Sequence, residues 1–214
     1  MAIDRKHIFD KTAFFLKKET KFFTSSELHM AIGVDAPRQV ARDLNFPKTD
    51  YSGSVASGVW QVTMPSDFLK LDSNAKPTFQ DSTTIRDLTP KSQTNIGRAN
   101  ILNATPGTPQ NYFMKSETVM GLYPPSTSGT IVVPYVKAPT SLSSDTDTNA
   151  LTENAYMAMV YQVVGECMLK DGDTRTSDYY ALYEREVKRL KRQYGELFEE
   201  DIDTGRMMPD EDYL

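Results

Sequence analysis

Apolar residues recur with a helical period at both ends of this chain and with a strand period in its middle. Near the N-terminus, Ile8, Phe9, Phe15 and Leu16 mark the apolar positions of a helix expected over Asp4–Thr20, although Phe14 beside Phe15 blurs the stripe. Thr24-Ser25-Ser26-Glu27-Leu28 then opens a second helix. Thr24 fits its N-cap, because a hydroxyl oxygen can accept an orphan N–H of the first turn. Glu27 falls at the third helical position and completes a capping box. Gly33 and Pro37 are expected to break or restart this helix, with Asp35 as a second cap.

The middle of the chain reads differently. Tyr51–Gly58 is built of Ser, Gly and small residues and is expected to be a flexible loop. Val59–Met64 alternates, with Trp60, Val62 and Met64 on one side and Val59, Gln61 and Thr63 on the other, and Pro65 ends the strand. Asp72–Asn103 is polar and weakly patterned, and no strand can be assigned in it. Tyr112–Lys115 is short and apolar. Thr118–Tyr123 and Thr130–Lys137 flank the stretch Pro124–Gly129, which predicts an antiparallel hairpin with a long connection. Pro134 cannot donate to a ladder and therefore puts the last strand at an edge or a bulge.

Helical spacing returns after a polar linker, Ser143–Asn149. Thr152–Lys170 is apolar almost all round, with a narrow polar strip at Gln162, Glu166 and Lys170, as in a helix buried on most sides. Asp171-Gly172-Asp173 ends it. In the last helix, expected over Ser177–Phe198, Tyr180, Tyr183, Val187, Leu190, Tyr194 and Leu197 recur at spacings of 3, 4, 3, 4 and 3. That is a seam packed against a neighbour. The opposite face carries Arg185, Arg189 and Arg192, with Lys188 and Lys191 alongside. Strands segregated from helices favour an α+β fold. The expected layout is a helical bundle made by the N- and C-terminal helices (residues 1–50 and 150–198), an inserted and mainly antiparallel β module (59–142), and an acidic C-terminal tail (199–214).

Composition narrows the class. Of the 214 residues, 39% are hydrophobic and 25% charged, which suits a chain with a packed core. No apolar run approaches the ~20 residues of a membrane span, and no charged stretch followed by an apolar one predicts a secretory signal. The lone cysteine, Cys167, lies in an apolar helical stretch and reads as a small buried hydrophobe in a reducing compartment. The net charge of −5 is concentrated at one end: Glu196–Leu214 holds eight acids and one base, Arg206, while the first 195 residues hold 23 bases and 21 acids. Such a tail is either solvated or an interaction arm. This one carries Met207, Met208, Tyr213 and Leu214 among its acids, and a purely solvating tail has no need of apolar residues. These four are the expected anchors for docking on a partner or on a neighbouring copy. The stripe of Arg185, Arg189 and Arg192 has three readings: a solvated face, a nucleic-acid contact, or a salt bridge to an acidic segment of a neighbouring copy.

Candidate chemistry is sparse. His7 and His29 have no histidine or cysteine at ligand spacing, so the usual zinc sites are not supported. No Gly-x-Ser-x-Gly supports a hydrolase triad, and no glycine-rich phosphate cradle is present. Asp145-x-Asp147-x-Asn149 begins like a calcium loop, but Ala150 and Tyr156 stand where glycine and a bidentate glutamate belong. Asp171-Gly172-Asp173 fails likewise, with Leu182 at the glutamate position. No cofactor, metal or catalytic residue is expected.

Several short motifs follow one another in a telling order. They are Phe23-Thr24-Ser25-Ser26-Glu27-Leu28, Met64-Pro65-Ser66-Asp67-Phe68, Gly107-Thr108-Pro109-Gln110-Asn111-Tyr112-Phe113, Leu122-Tyr123-Pro124-Pro125, and Tyr135-Val136-Lys137-Ala138-Pro139 with Leu142. With the two closing helices joined through Lys170-Asp171-Gly172-Asp173, they cover residues 23–195 and resemble the phage head-to-tail adaptor family of the tail tubular protein A type. The resemblance implies a structural virion protein and not an enzyme. It would form a ring, commonly of about twelve copies, under the capsid portal at the virion neck, after synthesis in the cytoplasm of the bacterial host. Its partners would be itself, the portal protein and tail tube or nozzle proteins. The helical body would pack side by side around the ring, with the β module presented to tail components. DNA would pass through the channel without specific binding, and no membrane would be involved. The readings from other classes are a small phage-encoded hydrolase working through two carboxylates about 5–9.5 Å apart, and a different virion ring or stopper protein.

Overall fold

The structure is a computed structural model that describes residues 3–16, 24–97 and 103–193. Its helices are α1 (Arg5–Leu16), α2 (Ser25–Met30), α3 (Ala36–Leu44), α4 (Gln93–Ile96), α5 (Tyr156–Asp171) and α6 (Thr176–Gln193). Its strands are β1 (Lys48–Val55), β2 (Gln61–Thr63), β3 (Phe68–Leu71), β4 (Thr78–Gln80), β5 (Ile85–Asp87), β6 (Thr89–Pro90), β7 (Asn111–Ser116), β8 (Val119–Tyr123) and β9 (Gly129–Lys137). The chain is α+β. It divides into two units, Met1–Val40 with Leu142–Leu214, and Ala41–Ser141.

In the first unit the capping box forms as the sequence predicts. Thr24 Oγ1 accepts the Glu27 N–H at 3.2 Å, and Glu27 Oε2 accepts the Thr24 N–H at 2.8 Å. The expected break at Gly33 and Pro37 does not occur. The helix instead widens into a π turn, Ala31–Asp35, in which the Ala36 N–H reaches back to the Ala31 carbonyl, and then continues as α3. Proline has no N–H and crowds the carbonyl four residues back. Here that carbonyl belongs to Gly33, and the wider turn accommodates Pro37 without ending the helix. The Gly33 carbonyl thus freed accepts the Leu142 N–H at 2.9 Å. A Cβ at Gly33 would lie 2.6 Å from the Leu142 carbonyl oxygen. Gly33→Ala is therefore expected to cost about 1–3 kcal/mol, as overpacking against backbone does. Urea denaturation of the full chain measures this, and an unchanged midpoint would mean that the two segments part freely.

The buried face of α1 is Arg5, Ile8, Thr12 and Leu16, and α1 packs on α5. Only Ile8 and Leu16 of that face show in the apolar pattern. Thr12 is buried because its hydroxyl donates to the Ile8 carbonyl at 2.8 Å. Arg5 donates to the Ser143 carbonyl and to Asp145 Oδ1, both at 3.2 Å, and contacts His29 Nδ1. Phe9 and Phe15, expected on the apolar face, lie at its margins: Phe9 stacks on His29, and Phe15 meets the rings of Tyr161 and Tyr179. The linker Ser143–Asn149 is pinned to the start of α1, where the Arg5 and Lys6 N–H groups donate to the Asp147 and Asp145 carbonyls at 3.0 Å. α5 is buried along most of its length, and Gly172, left-handed at φ 70, ends it. On α6, Tyr183, Val187 and Leu190 are buried, as the seam predicts, and α6 packs on α5. Tyr194 and Leu197 lie outside the described residues.

The second unit is two sheets. One has the order β1-β9-β4-β5, with β3 also on β9, and the other β2-β8-β7-β6. Every pairing is antiparallel except β6 with β7. Val55, Phe79, Ile131 and Val133 from the first sheet and Val62, Met120 and Leu122 from the second share one core, joined by Met64 and Leu88. The opposite side of the second sheet carries a smaller cluster, in which Ile96 and Phe113 pack with Trp60 and Tyr123.

Trp60 does not share a side with Val62 and Met64 as expected: it precedes β2, outside that strand's alternation, and packs with Phe113 in the smaller cluster, while Val62 and Met64 enter the shared core. Three further expectations need correction in this unit. Tyr51–Gly58 is not a loop: its first half belongs to β1, which pairs with β9 along its whole length, from Lys48 opposite Val136 to Val55 opposite Gly129. Ladder pairing with a long partner overrides the poor strand propensity of Ser and Gly. The β structure accordingly begins at Lys48 and not at Val59. The second correction is that β8 and β9 do not form a hairpin. β8 pairs with β7 and β2, and the Pro124-Pro125 stretch carries the chain from one sheet to the other. Finally, Pro134 sits in a central strand. Its carbonyl accepts the Asp72 N–H at 3.1 Å, so its missing N–H faces the same side, in the gap between β4 (opposite Thr130–Val132) and β3 (opposite Tyr135–Lys137). The proline thus occupies a break in the ladder and not an outer edge.

Candidate functional site

The basic stripe gathers into a groove. Arg185, Lys188, Arg189 and Arg192 project from α6 at helical offsets that place them on one face. With Tyr161 of α5 and with Leu182 and Glu186 of α6 they line an open depression of about 580 Å³. All four cations are exposed. Arg189 donates to Glu186 at 2.9 and 2.7 Å and to Gln193 Oε1 at 3.4 Å. No ion pair forms at Arg185, Lys188 or Arg192 among the described residues. The groove therefore presents four cations and a single carboxylate around two partly apolar side chains. Its lining presents a net positive charge and holds no pair of opposed carboxylates of the kind glycoside cleavage uses.

Of the predicted partner-binding residues, Arg185, Arg189 and Arg192 are brought together here, and the spacing along one helix was the signal that found them. Tyr161 and Leu182 were not foreseen as part of it. Tyr161 belongs to a helix that reads as buried, and only the packing of α5 on α6 brings it to the rim. Burial holds the Tyr161 phenol above its ordinary range, with Glu186 and neighbouring tyrosines adding to the effect. Met207, Met208, Tyr213 and Leu214 lie outside the described residues.

Several ionisable groups elsewhere are tied into local structure. Asp147, expected as a linker residue, accepts from the hydroxyls and N–H groups of Ser143 and Ser144, led by the Ser144 hydroxyl, and these bonds hold its carboxyl well below the usual carboxylate range. Asp145 is taken by Arg5. Asp173 is lowered to about 2 by Arg175 and closes the turn between α5 and α6. Asp81 is lowered by the Thr83 and Thr84 N–H groups and hydroxyls and by the Thr108 hydroxyl, which tie the β4–β5 turn. Lys170 with the Thr24 cap lowers Glu27 to about 2 and joins α2 to α5. Burial raises the Glu166 carboxyl, against the amide of Gln162. Cys167 is fully buried, and burial pushes its thiol up to about 12, so it remains a neutral core residue. Among the described residues no group of three His, Cys, Asp or Glu side chains could hold a metal ion. No helix among them is long and apolar enough to cross a membrane.

The family model for the SU10 adaptor protein matches residues 12–206, nine-tenths of the chain. No curated protein matches it.

Proposed function

The chain belongs to the SU10 adaptor protein family, a phage head-tail adaptor family, and we propose that it forms the ring that joins the capsid portal to the tail and continues the DNA channel. The observation that carries this reading is the reach of the family match, which spans both units and runs into the acidic C-terminal segment. The exposed charged face on α6, whose opposite face is buried, supports lateral assembly of a helical bundle built from the N- and C-terminal helices. The β unit, with its own core, is suited to be presented as a separate surface to tail tube or nozzle proteins. Closed rotational symmetry is the usual solution for a homo-oligomer that must surround a channel, and about twelve copies is the expected number. The protein works at the virion neck by holding partners together. DNA passes without sequence-specific contacts.

The test is the mass of the assembled species, by sedimentation and native mass measurement, with and without the portal protein. The expected result is a ring bound to the portal, and deletion of residues 201–214 is expected to weaken that attachment strongly. A chain that stays monomeric beside the portal would overturn the ring. A ring that binds portal equally well without residues 201–214 would leave the ring standing and reduce the tail to a solubilising appendage.

A further inference from the structure

We infer that the basic groove on α6 receives the acidic segment Glu196–Asp203 of a second copy of this chain. The groove cations Arg185, Lys188, Arg189 and Arg192 stand at offsets 0, 3, 4 and 7. The acids Glu196, Glu199, Glu200 and Asp203 stand at the same offsets, 0, 3, 4 and 7. Each carboxylate therefore has a cation at matching spacing, and the pairing is one of whole patterns and not of a single contact. The two sets are 11 residues apart. At about 100° per residue, 11 residues make three turns to within roughly 20°, so in one helical register the acids fall on the same face as the cations, about 16 Å further along. On one straight helix they cannot fold back onto the cations that precede them. They can lie against the cations of another copy. Tyr161 and Leu182 provide apolar footing beside the charges, and the acidic segment supplies Leu197, Phe198 and Ile202 to meet it. A phosphate backbone would match the charge but has no use for that footing, which favours the acidic segment over nucleic acid as the occupant.

The inference needs self-association and does not depend on the portal. Charge reversal in the full chain tests it. One variant carries R185E, K188E, R189E and R192E, and the other E196K, E199K, E200K and D203K. The four groove positions are exposed, and thermal melts check that the variants fold. Each variant alone is expected to self-associate roughly tenfold or more weakly than the natural chain by sedimentation, since several exposed pairs are lost together and replaced by repulsion. An equimolar mixture is expected to recover association, because each reversed groove then meets a reversed tail, and the recovery is expected to fade with added salt. Association unchanged in both variants would overturn the inference while leaving the ring intact. So would a mixture that does not recover while a chain carrying both reversals does, because the segment would then occupy its own groove. Tight, salt-sensitive binding of duplex DNA that is lost only in the groove variant would assign the groove to nucleic acid instead. A natural chain that stays monomeric at every concentration would also overturn it, with attachment to the portal read separately.

Discussion

Replacing Phe79 by alanine is expected to destabilise the β unit by about 3–5 kcal/mol, the range for removing a fully buried aromatic ring. Phe79 has no exposed surface and is the largest of the fully buried side chains among the described residues. Its ring lies in the shared core among Val55, Val62, Met120, Leu122, Ile131 and Val133, which come from both sheets, so no single strand can shift to fill the space. β4, which carries it, pairs with β9 on one side and β5 on the other, so the backbone is held as well. The only tryptophan, Trp60, packs on Phe113 in the same unit and carries the Lys115 ammonium 5.0 Å from its ring centroid. Its fluorescence during urea denaturation therefore reports on this unit. A midpoint unchanged by Phe79→Ala would show that the two sheets do not depend on a common core.

Phe79 also marks where the sequence stops being legible. Strand periodicity needs several turns of alternation to be seen, and β4, β5 and β6 have three, three and two residues. A strand of three offers one or two inward positions, and in β4 that is Phe79 alone, one apolar residue among polar ones with no period. Leu88, fully buried after β5, is hidden for the same reason. The Ser- and Gly-rich half of β1 misleads in the opposite direction. Its composition is that of a loop, and only pairing with β9, far away in sequence, makes it a strand. The helices were readable because their information is local. The Thr24 box, the buried length of α5 and the seam of α6 follow from residues a few positions apart. Arg5 is the exception among them. A charged residue on a buried helix face is invisible to an apolar pattern, and its acceptors Ser143 and Asp145 lie far along the chain.

The candidate site divides along the same line. Arg185, Arg189 and Arg192 were found because a helix displays charge at a fixed spacing. That they bound a groove with Tyr161 and Leu182 was not readable, because it depends on how α5 packs on α6. What occupies the groove is a question about a second molecule. The sequence contributes to it only through the matching offsets of the acids that follow.

The seam on α6 supplies the second large effect. Leu190→Ala is expected to cost about 2–5 kcal/mol, because Leu190 is fully buried and the lost contacts leave a cavity between packed helices. Tyr183 and Val187 flank it on the same face, and α5, buried along most of its length, lies against them. Leu182 provides the control on the same helix. It is 37% exposed and lies on the groove side, so Leu182→Ala removes the same atoms from a site that water already reaches. The expected loss there is about 0.5 kcal/mol or less. Both substitutions carry the same small gain in helix propensity, since alanine ranks just above leucine on that scale. The difference between them therefore isolates burial. Denaturation followed by helical circular dichroism measures it, since the tryptophan signal belongs to the other unit. Equal losses for the two leucines would mean that the 3-and-4 spacing does not select the packed face. A large loss confined to Leu190 would show that one face of α6 is committed to the core, leaving its cationic face available for assembly.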